Sequence, residues 1–205
     1  MKIAIIGAGA AGIIAAITAK RLNKNLQIDL FDANKGIGKK ILASGNGRCN
    51  ISNNQITSKN YLGENPDFTS FALKEFDFKA FEKFCKSIGL LLDIKPSGKV
   101  YPLSNEAKSV TNLLELALQE LGVNIYLESM ITDIEKIDDK FNITTKENEY
   151  KAYDKVVISN GLGAAPQLNA NESGLEFASK FGHSFNPTYP SLVGLKTDNT
   201  YNGKL

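Results

Sequence analysis

Ile3-Ala4-Ile5-Ile6-Gly7-Ala8-Gly9-Ala10-Ala11-Gly12-Ile13-Ile14-Ala15-Ala16-Ile17 decides how this chain is read. A short apolar run bounded by glycine reads as a buried strand. Gly7, Gly9 and Gly12 form a G-x-G-x-x-G, and the small apolar residues behind it read as a helix. In a dinucleotide-binding turn each glycine has its own task. Gly7 permits the tight turn out of the strand, Gly9 lets backbone approach a pyrophosphate, and Gly12 lets the helix pack closely on the sheet. The free N–H groups of the first helical turn then face the phosphates. Alone the motif is a weak signal, and a glycine-rich turn with an incidental surface acid is the bland alternative. The flanks decide between them. Asn25-Leu26-Gln27-Ile28-Asp29-Leu30-Phe31 reads as a second strand, ending at Asp32, 20 residues beyond Gly12. A carboxylate at that spacing accepts hydrogen bonds from a ribose diol. It also argues against a cofactor with a 2′-phosphate, because two anions would meet there.

Composition sets the bounds. The chain has 205 residues, 42% hydrophobic and 22% charged, and a formal charge of +2. These values fit an ordinary globular protein of one domain, or one and a piece. Near-neutral charge gives little electrostatic pull toward nucleic acid. Cys49 and Cys85 are the two cysteines, with no zinc spacing, C-x-x-C pair or disulfide framework. A reducing, cytoplasmic setting is expected. No apolar run is long enough to span a bilayer, so no membrane is expected. The apolar N-terminus reads as a folded strand–helix unit rather than a signal peptide.

After Asp32, Ala33 opens a second informative stretch that runs to Asn53. It holds four glycines (Gly36, Gly38, Gly45 and Gly47), the bases Lys39, Lys40 and Arg48, and the polar side chains of Ser44, Asn46 and Asn50. Glycines allow close backbone approach, and the bases can balance a pyrophosphate. A solvated basic loop is the alternative. Cys49 follows Arg48, and a neighbouring cation favours a thiolate. The other reading of Cys49 is a small side chain that fits beside a ligand.

Gly7-Ala8-Gly9-Ala10-Ala11-Gly12, Asp32 and Ser44-Gly45-Asn46-Gly47-Arg48-Cys49-Asn50 together resemble the aminoacetone-oxidase-like or BaiN-like FAD-binding oxidoreductases. These are glutathione-reductase-like flavoproteins. The resemblance runs from Met1 to about residue 197, with S-G-x-G-R-C-N as its specific part. It implies FAD, with Gly7, Ala8, Gly9, Ala10, Ala11 and Gly12 at the pyrophosphate, Asp32 at the adenosine ribose, and Ala33 as a further cofactor contact. It places Lys39, Lys40, Ser44, Gly45, Gly47, Arg48, Cys49 and Asn50 along the pyrophosphate and near the flavin. It also implies adenine contacts from the backbone near Met130 and Ile131, and cofactor contacts at Asn160 and Gly161.

Residues 54–68 read as a loop. Apolar spacing predicts helices over 71–76 and 78–88, with Asp77 as an N-cap. Phe81, Phe84 and Cys85 share one face and read as core. Leu90 to Lys95 and Lys99 to Pro102 read as strands around a Pro96-Ser97-Gly98 turn. Tyr101 is either an active-site phenol, as the resemblance suggests, or a packed hairpin residue. Ser104 is expected to cap a helix through Leu121. Val123 to Leu127 is a strand. Ile131 to Ile137, Phe141 to Thr145 and Glu149 to Tyr153 then predict a three-stranded meander in place of a crossover helix. In the resembling flavoproteins a meander stands here, whereas nicotinamide dehydrogenases usually continue βαβ. Lys155 to Gly161 reads as a buried strand running into glycine. Leu162 to Asn169 departs from the family's S-Y-P and T-G-D-G pattern. Gly174 to Phe181 reads as a helix, and His183, the single histidine, as either its cap or a proton donor.

The expected fold is α/β: a Rossmann-like FAD-binding domain over 1–187, with a mainly parallel sheet and the meander. Residues 188–205 are expected to begin a substrate domain, with a strand in 187–195 and a stop at Leu205. The expected function is that of an FAD-dependent oxidoreductase moving hydride to or from a small organic substrate. NAD(P)H is a possible electron donor, and the remaining half of the chain or another subunit is an expected partner. No catalytic residue and no metal site are assigned. The alternatives are a flavoenzyme reducing an RNA base, a nicotinamide dehydrogenase without flavin, and a non-catalytic dinucleotide-binding module.

Overall fold

β1 (Lys2–Ile6) runs at the centre of a parallel sheet, in a computed structural model that describes residues 1–63 and 65–189. α1 (Ala10–Leu22) carries the chain back to β2 (Gln27–Phe31), which pairs with β1 in parallel from Lys2↔Gln27 to Ile6↔Phe31. α2 (Lys39–Ala43) and the two-residue β3 (Ser52–Asn53) lie in the glycine-rich stretch. Next come α3 (Phe68–Glu75), α4 (Phe78–Ser87), β4 (Leu92–Ile94), β5 (Lys99–Pro102), α5 (Ala107–Glu120) and β6 (Asn124–Tyr126). The meander is β7 (Ile131–Ile137), β8 (Lys140–Thr145) and β9 (Glu149–Tyr153). β10 (Lys155–Ile158) returns beside β1, and α6 (Ser173–Lys180) follows.

The parallel sheet has the order β10-β1-β2-β6, and two three-stranded antiparallel sheets, β3-β5-β4 and β7-β8-β9, accompany it. β1 is apolar on both sides because both faces are covered. Ile5, Ile28 and Leu30 pack against Ile13, Ala16 and Ile17 of α1 and Leu118 of α5. Ala4, Ile6 and Phe31 pack against Ile134, Ile143 and Tyr153 of the meander and Phe177 of α6. The meander is thus the second layer, doing the covering that a crossover helix does in a βαβ repeat.

Asp29 lies on the meander side of β2 and is 2% exposed. It accepts hydrogen bonds from Tyr153 Oη (2.7 Å) and Asn124 Nδ2 (2.7 Å), with Lys2 Nζ at 3.8 Å. A buried carboxylate needs such partners, and here they tie β9 and β6 to β2.

The expected elements stand, with shifted edges. Asp77 caps α4 by accepting from Ala80 N at 2.9 Å. α5 begins at Ala107 rather than just after Ser104, because Asn105 adopts φ +56. The Ser104 hydroxyl instead accepts from Glu106 N at 3.3 Å, outside the helix. α3 starts at Phe68, inside the expected loop. The strand and second-domain start expected over 187–205 fall almost wholly outside the described residues. Among the described residues, no helix is long and apolar enough to cross a membrane.

Candidate functional site

The chain leaves β1 toward β2 on one side, and β10 flanks β1 on the other. Such a switch point opens a crevice at the carboxyl ends of the strands, and the glycine turn lies there. Gly7 has φ +100, and a Cβ on it would stand 2.6 Å from Ser159 O. A Cβ on Gly12 would overlap the Gly7 carbonyl and lie 2.6 Å from Ser159 Oγ. A Cβ on Gly9 would meet nothing within 4 Å. So two glycines serve contacts inside the protein, and the third faces open space. Gly9 opens α1 without a side-chain cap, leaving first-turn N–H groups available.

Three contacts pin this turn. Gly7 N donates to Phe31 O (2.8 Å), and Gly38 N donates to Ala8 O (2.8 Å). Ser159 Oγ lies 2.8 Å from Ile6 O and 3.0 Å from Gly7 O, sharing its proton between them. Asp32 completes the arrangement. Its Oδ2 accepts from Ala8 N (2.8 Å), and its Oδ1 accepts from Asn34 N (2.8 Å) and Asn34 Nδ2 (2.9 Å). The acid therefore touches the turn directly, with oxygen lone pairs to spare.

A cavity of about 510 Å³ opens beside the turn, within the usual range for small-molecule sites. Gly7, Ala8, Gly9, Ala10, Ala11, Asp32, Lys39, Lys40, Ser44, Cys49, Asn50, Asn160 and Gly161 all line it. Gly12 is buried beneath the turn. Ala33 lines a neighbouring cavity with Lys35 and Glu128. Gly45, Gly47 and Arg48 do not line the cavity beside the turn. Gly45, Asn46, Gly47 and Cys49 have φ +58, +54, +81 and +59, a tight reversal for which glycines are suited. Arg48 Nε donates to Gly45 O (3.3 Å), and its guanidinium lies 5.4 Å from the centre of the Tyr101 ring. Tyr101 belongs to the β5 hairpin and does not line the cavity. Met130 and Ile131 do not line it either: Met130 is 47% exposed, and Ile131 is buried in the meander core. His183 is exposed, and its backbone N–H closes α6 on Ala178 O (3.1 Å).

The cavity lining has two characters. Asp32, Asn34, Lys39, Lys40 and Asn169 are its polar part, whereas Ile14, Ile51, Phe81, Phe84, Ile88 and Leu114 are apolar and belong with the core around α1. Cys49 and Cys85 also line the cavity, both buried and free. Burial pushes the Cys49 thiol up, offset in part by a hydrogen bond with Ser44. Burial pushes Cys85 up to about 12. Of the two readings of Cys49, this burial favours the small side chain that fits beside a ligand, and the Arg48 guanidinium lies over Tyr101.

Asn34, Ser159 and Asn169 are the site residues that sequence reasoning missed. Asp32-x-Asn34 carries a local signal, since side-chain to backbone bonds two residues apart are common for such residues. Ser159 and Asn169 carry none. Asn160 Oδ1 is buried without a partner, while its Nδ2 donates to Ser173 Oγ at 3.2 Å.

Residues 1–201 match the HI0933-like protein Rossmann domain. The chain is 37% identical over 195 residues to a 3-dehydro-bile acid delta(4,6)-reductase of Clostridium scindens, covering 95% of this chain and 47% of the relative. It is 31% identical over 193 residues to a ribosomal RNA dihydrouridine synthase of Haemophilus influenzae, covering 92% and 47%. The chain thus spans about half the length of these curated relatives. Among solved structures, THI4 of Thermovibrio ammonificans shares the fold at a TM-score of 0.55 and 13% identity, over 89% of this chain and 62% of that one.

Proposed function

The chain belongs to the HI0933-like Rossmann-domain family, and from that premise we propose that it is the nucleotide-holding part of an FAD-dependent oxidoreductase. The observation that carries this reading is Asp32, bonded to the glycine turn at Ala8 and open to a cavity of about 510 Å³. The residues present fit the dinucleotide. Gly9 leaves room for a pyrophosphate against the first-turn N–H groups. Lys39 and Lys40 supply compensating charge, and Asp32 accepts from a ribose diol. Ser44, Cys49 and Asn50 would lie toward the flavin, and Asn160 and Gly161 would also contact the cofactor. Asn160 Oδ1 is an acceptor still in want of a donor. A bound flavin supplies hydride transfer. The protein's own share is binding, orientation and exclusion of water.

The substrate is a small organic molecule, supported by the 37% identity to a bile acid reductase. NAD(P)H is the electron donor in this reading. Reduction of an RNA base is the second reading, favoured by the name of the 31% identical relative. The formal charge of +2 adds no electrostatic support for it. Residues 1–187 form the FAD domain, and the substrate side belongs to the half of the relatives that this chain does not span. A reducing, cytoplasmic setting suits two free, buried cysteines.

Fluorescence titration with FAD tests the reading. Asp32→Ala should weaken binding by about 1.5–3 kcal/mol, the worth of hydrogen bonds to a charged group. Asp32→Asn keeps an acceptor for Ala8 N and separates loss of charge from loss of the turn. Equal affinity in both variants and the wild type would remove Asp32 from the site.

A further inference from the structure

Asn34 touches three separate parts of the cavity mouth. Its backbone N–H and its side-chain amide both donate to Asp32 Oδ1. Its Oδ1 accepts from Lys39 Nζ at 3.1 Å and from Asn169 Nδ2 at 3.1 Å. The first pair alone would be an ordinary Asx turn shaping the chain after β2. The bond to Asn169 spans 135 positions, and a local turn does not account for it.

Asn169 belongs to residues 161–172, the segment between β10 and α6. This stretch crosses the mouth, and its Leu168, Asn169 and Ala170 line the cavity. None of its residues is buried, so packing does little to hold it. Hydrogen bonds hold it instead. Lys40 Nζ donates to Leu162 O at 3.0 Å, Asn169 bonds Asn34, and Asn160 Nδ2 bonds Ser173 Oγ at 3.2 Å just beyond. Lys40, Asn160 and, through Asn34, Asp32 are groups that the nucleotide reading places at the ligand.

We propose, resting on that reading, that Asn34 is a positioning residue that orients Asp32 and latches residues 161–172 over the bound nucleotide. Exposed polar bonds are weak while water competes for them. A ligand that fills the mouth excludes that water and strengthens the same bonds. Nucleotide binding and closure of 161–172 are therefore coupled, and each favours the other.

Hydrogen exchange of residues 161–172, measured by mass spectrometry with and without ADP, tests the coupling. ADP should slow exchange there in the wild-type chain. Asn169→Ala leaves Asp32 and its bonds in place. It should abolish that slowing and weaken ADP by about two- to fivefold, the scale of one neutral hydrogen bond. Asn34→Ala should abolish the slowing and weaken ADP by about tenfold or more, since Asp32 also loses the charge-assisted bond from Asn34 Nδ2. ADP binding that leaves 161–172 unchanged in the wild type overturns this inference alone, as does full slowing in Asn169→Ala. Failure of ADP to bind the wild-type chain overturns the nucleotide reading and this inference with it.

Discussion

Gly9 and Gly12 sit three residues apart and answer to different constraints. A methyl on Gly12 would run into the Gly7 carbonyl and the Ser159 hydroxyl, and a methyl on Gly9 would point into open space. Gly12→Ala should therefore destabilise the fold by about 1–3 kcal/mol, the usual cost of overpacking, or more because a backbone carbonyl must move. Gly9→Ala should leave the melting temperature nearly unchanged and weaken FAD by about tenfold or more, because its methyl stands where a phosphate would approach. Thermal denaturation and FAD titration on both variants check the pair. A stable, fully binding Gly12→Ala would contradict the observed packing. Cys49 shows a different limit. Burial raises its thiol, which favours the reading of a small side chain at a tight reversal beside the cavity.

The meander is an element held at its edges by charge. Lys180 on α6 bonds Asp133 of β7 at 2.6 Å, and Lys140 of β8 pairs with Asp154. Asp154 also accepts from Lys2 N at 2.6 Å. The bond from Lys180 holds Asp133 below the usual carboxylate value. The bond from Lys140, then that from Lys2 N, does the same for Asp154. Both carboxylates are thus ionised more readily folded than unfolded. Their contribution is fully present above the unfolded carboxylate value near 4 and is lost as pH falls through the lower folded values. Acidification below about pH 4 should loosen the attachment of the meander. In a melting series from neutral pH downward, the double variant Asp133→Asn, Asp154→Asn should lose less stability on acidification than the wild type. An identical slope would show that the two bridges do not matter. The effect is small, because both pairs are exposed and solvent screens them. The buried Asp29 cluster, by contrast, fastens β9 to β2 without such screening.

At the scale of the whole molecule, the surface is uneven. Phe68 and Phe71, one turn apart on α3, are 72% and 75% exposed, and Phe76 is 50% exposed. Scattered exposed apolar residues are ordinary, whereas apolar side chains gathered on one helix favour association of copies. The chain should self-associate as concentration rises, and Phe68→Ser with Phe71→Ser should shift it toward monomer. Light scattering after size exclusion reads the change. A wild-type chain that stays monomeric at high concentration would refute the expectation.

The strand–turn–helix, the acid at Asp32 and the three-stranded meander were legible in the sequence because each is a local demand. A positive φ at Gly7, a 20-residue step from Gly12 to Asp32, and period-2 strands between polar turns are all visible within a short window. The α/β class follows from them. The tertiary structure alone decided the rest. Ser159 reaches the Gly7 carbonyl across 152 positions, and Asn169 reaches Asn34 across 135. β3 exists only because β5 comes alongside it, and Phe81, Phe84 and Leu114 wall the cavity only once their helices join the core cluster with α1. Local propensity constrains the backbone over a few residues. These contacts depend on where distant segments come to rest, and no short-range period in the sequence records that.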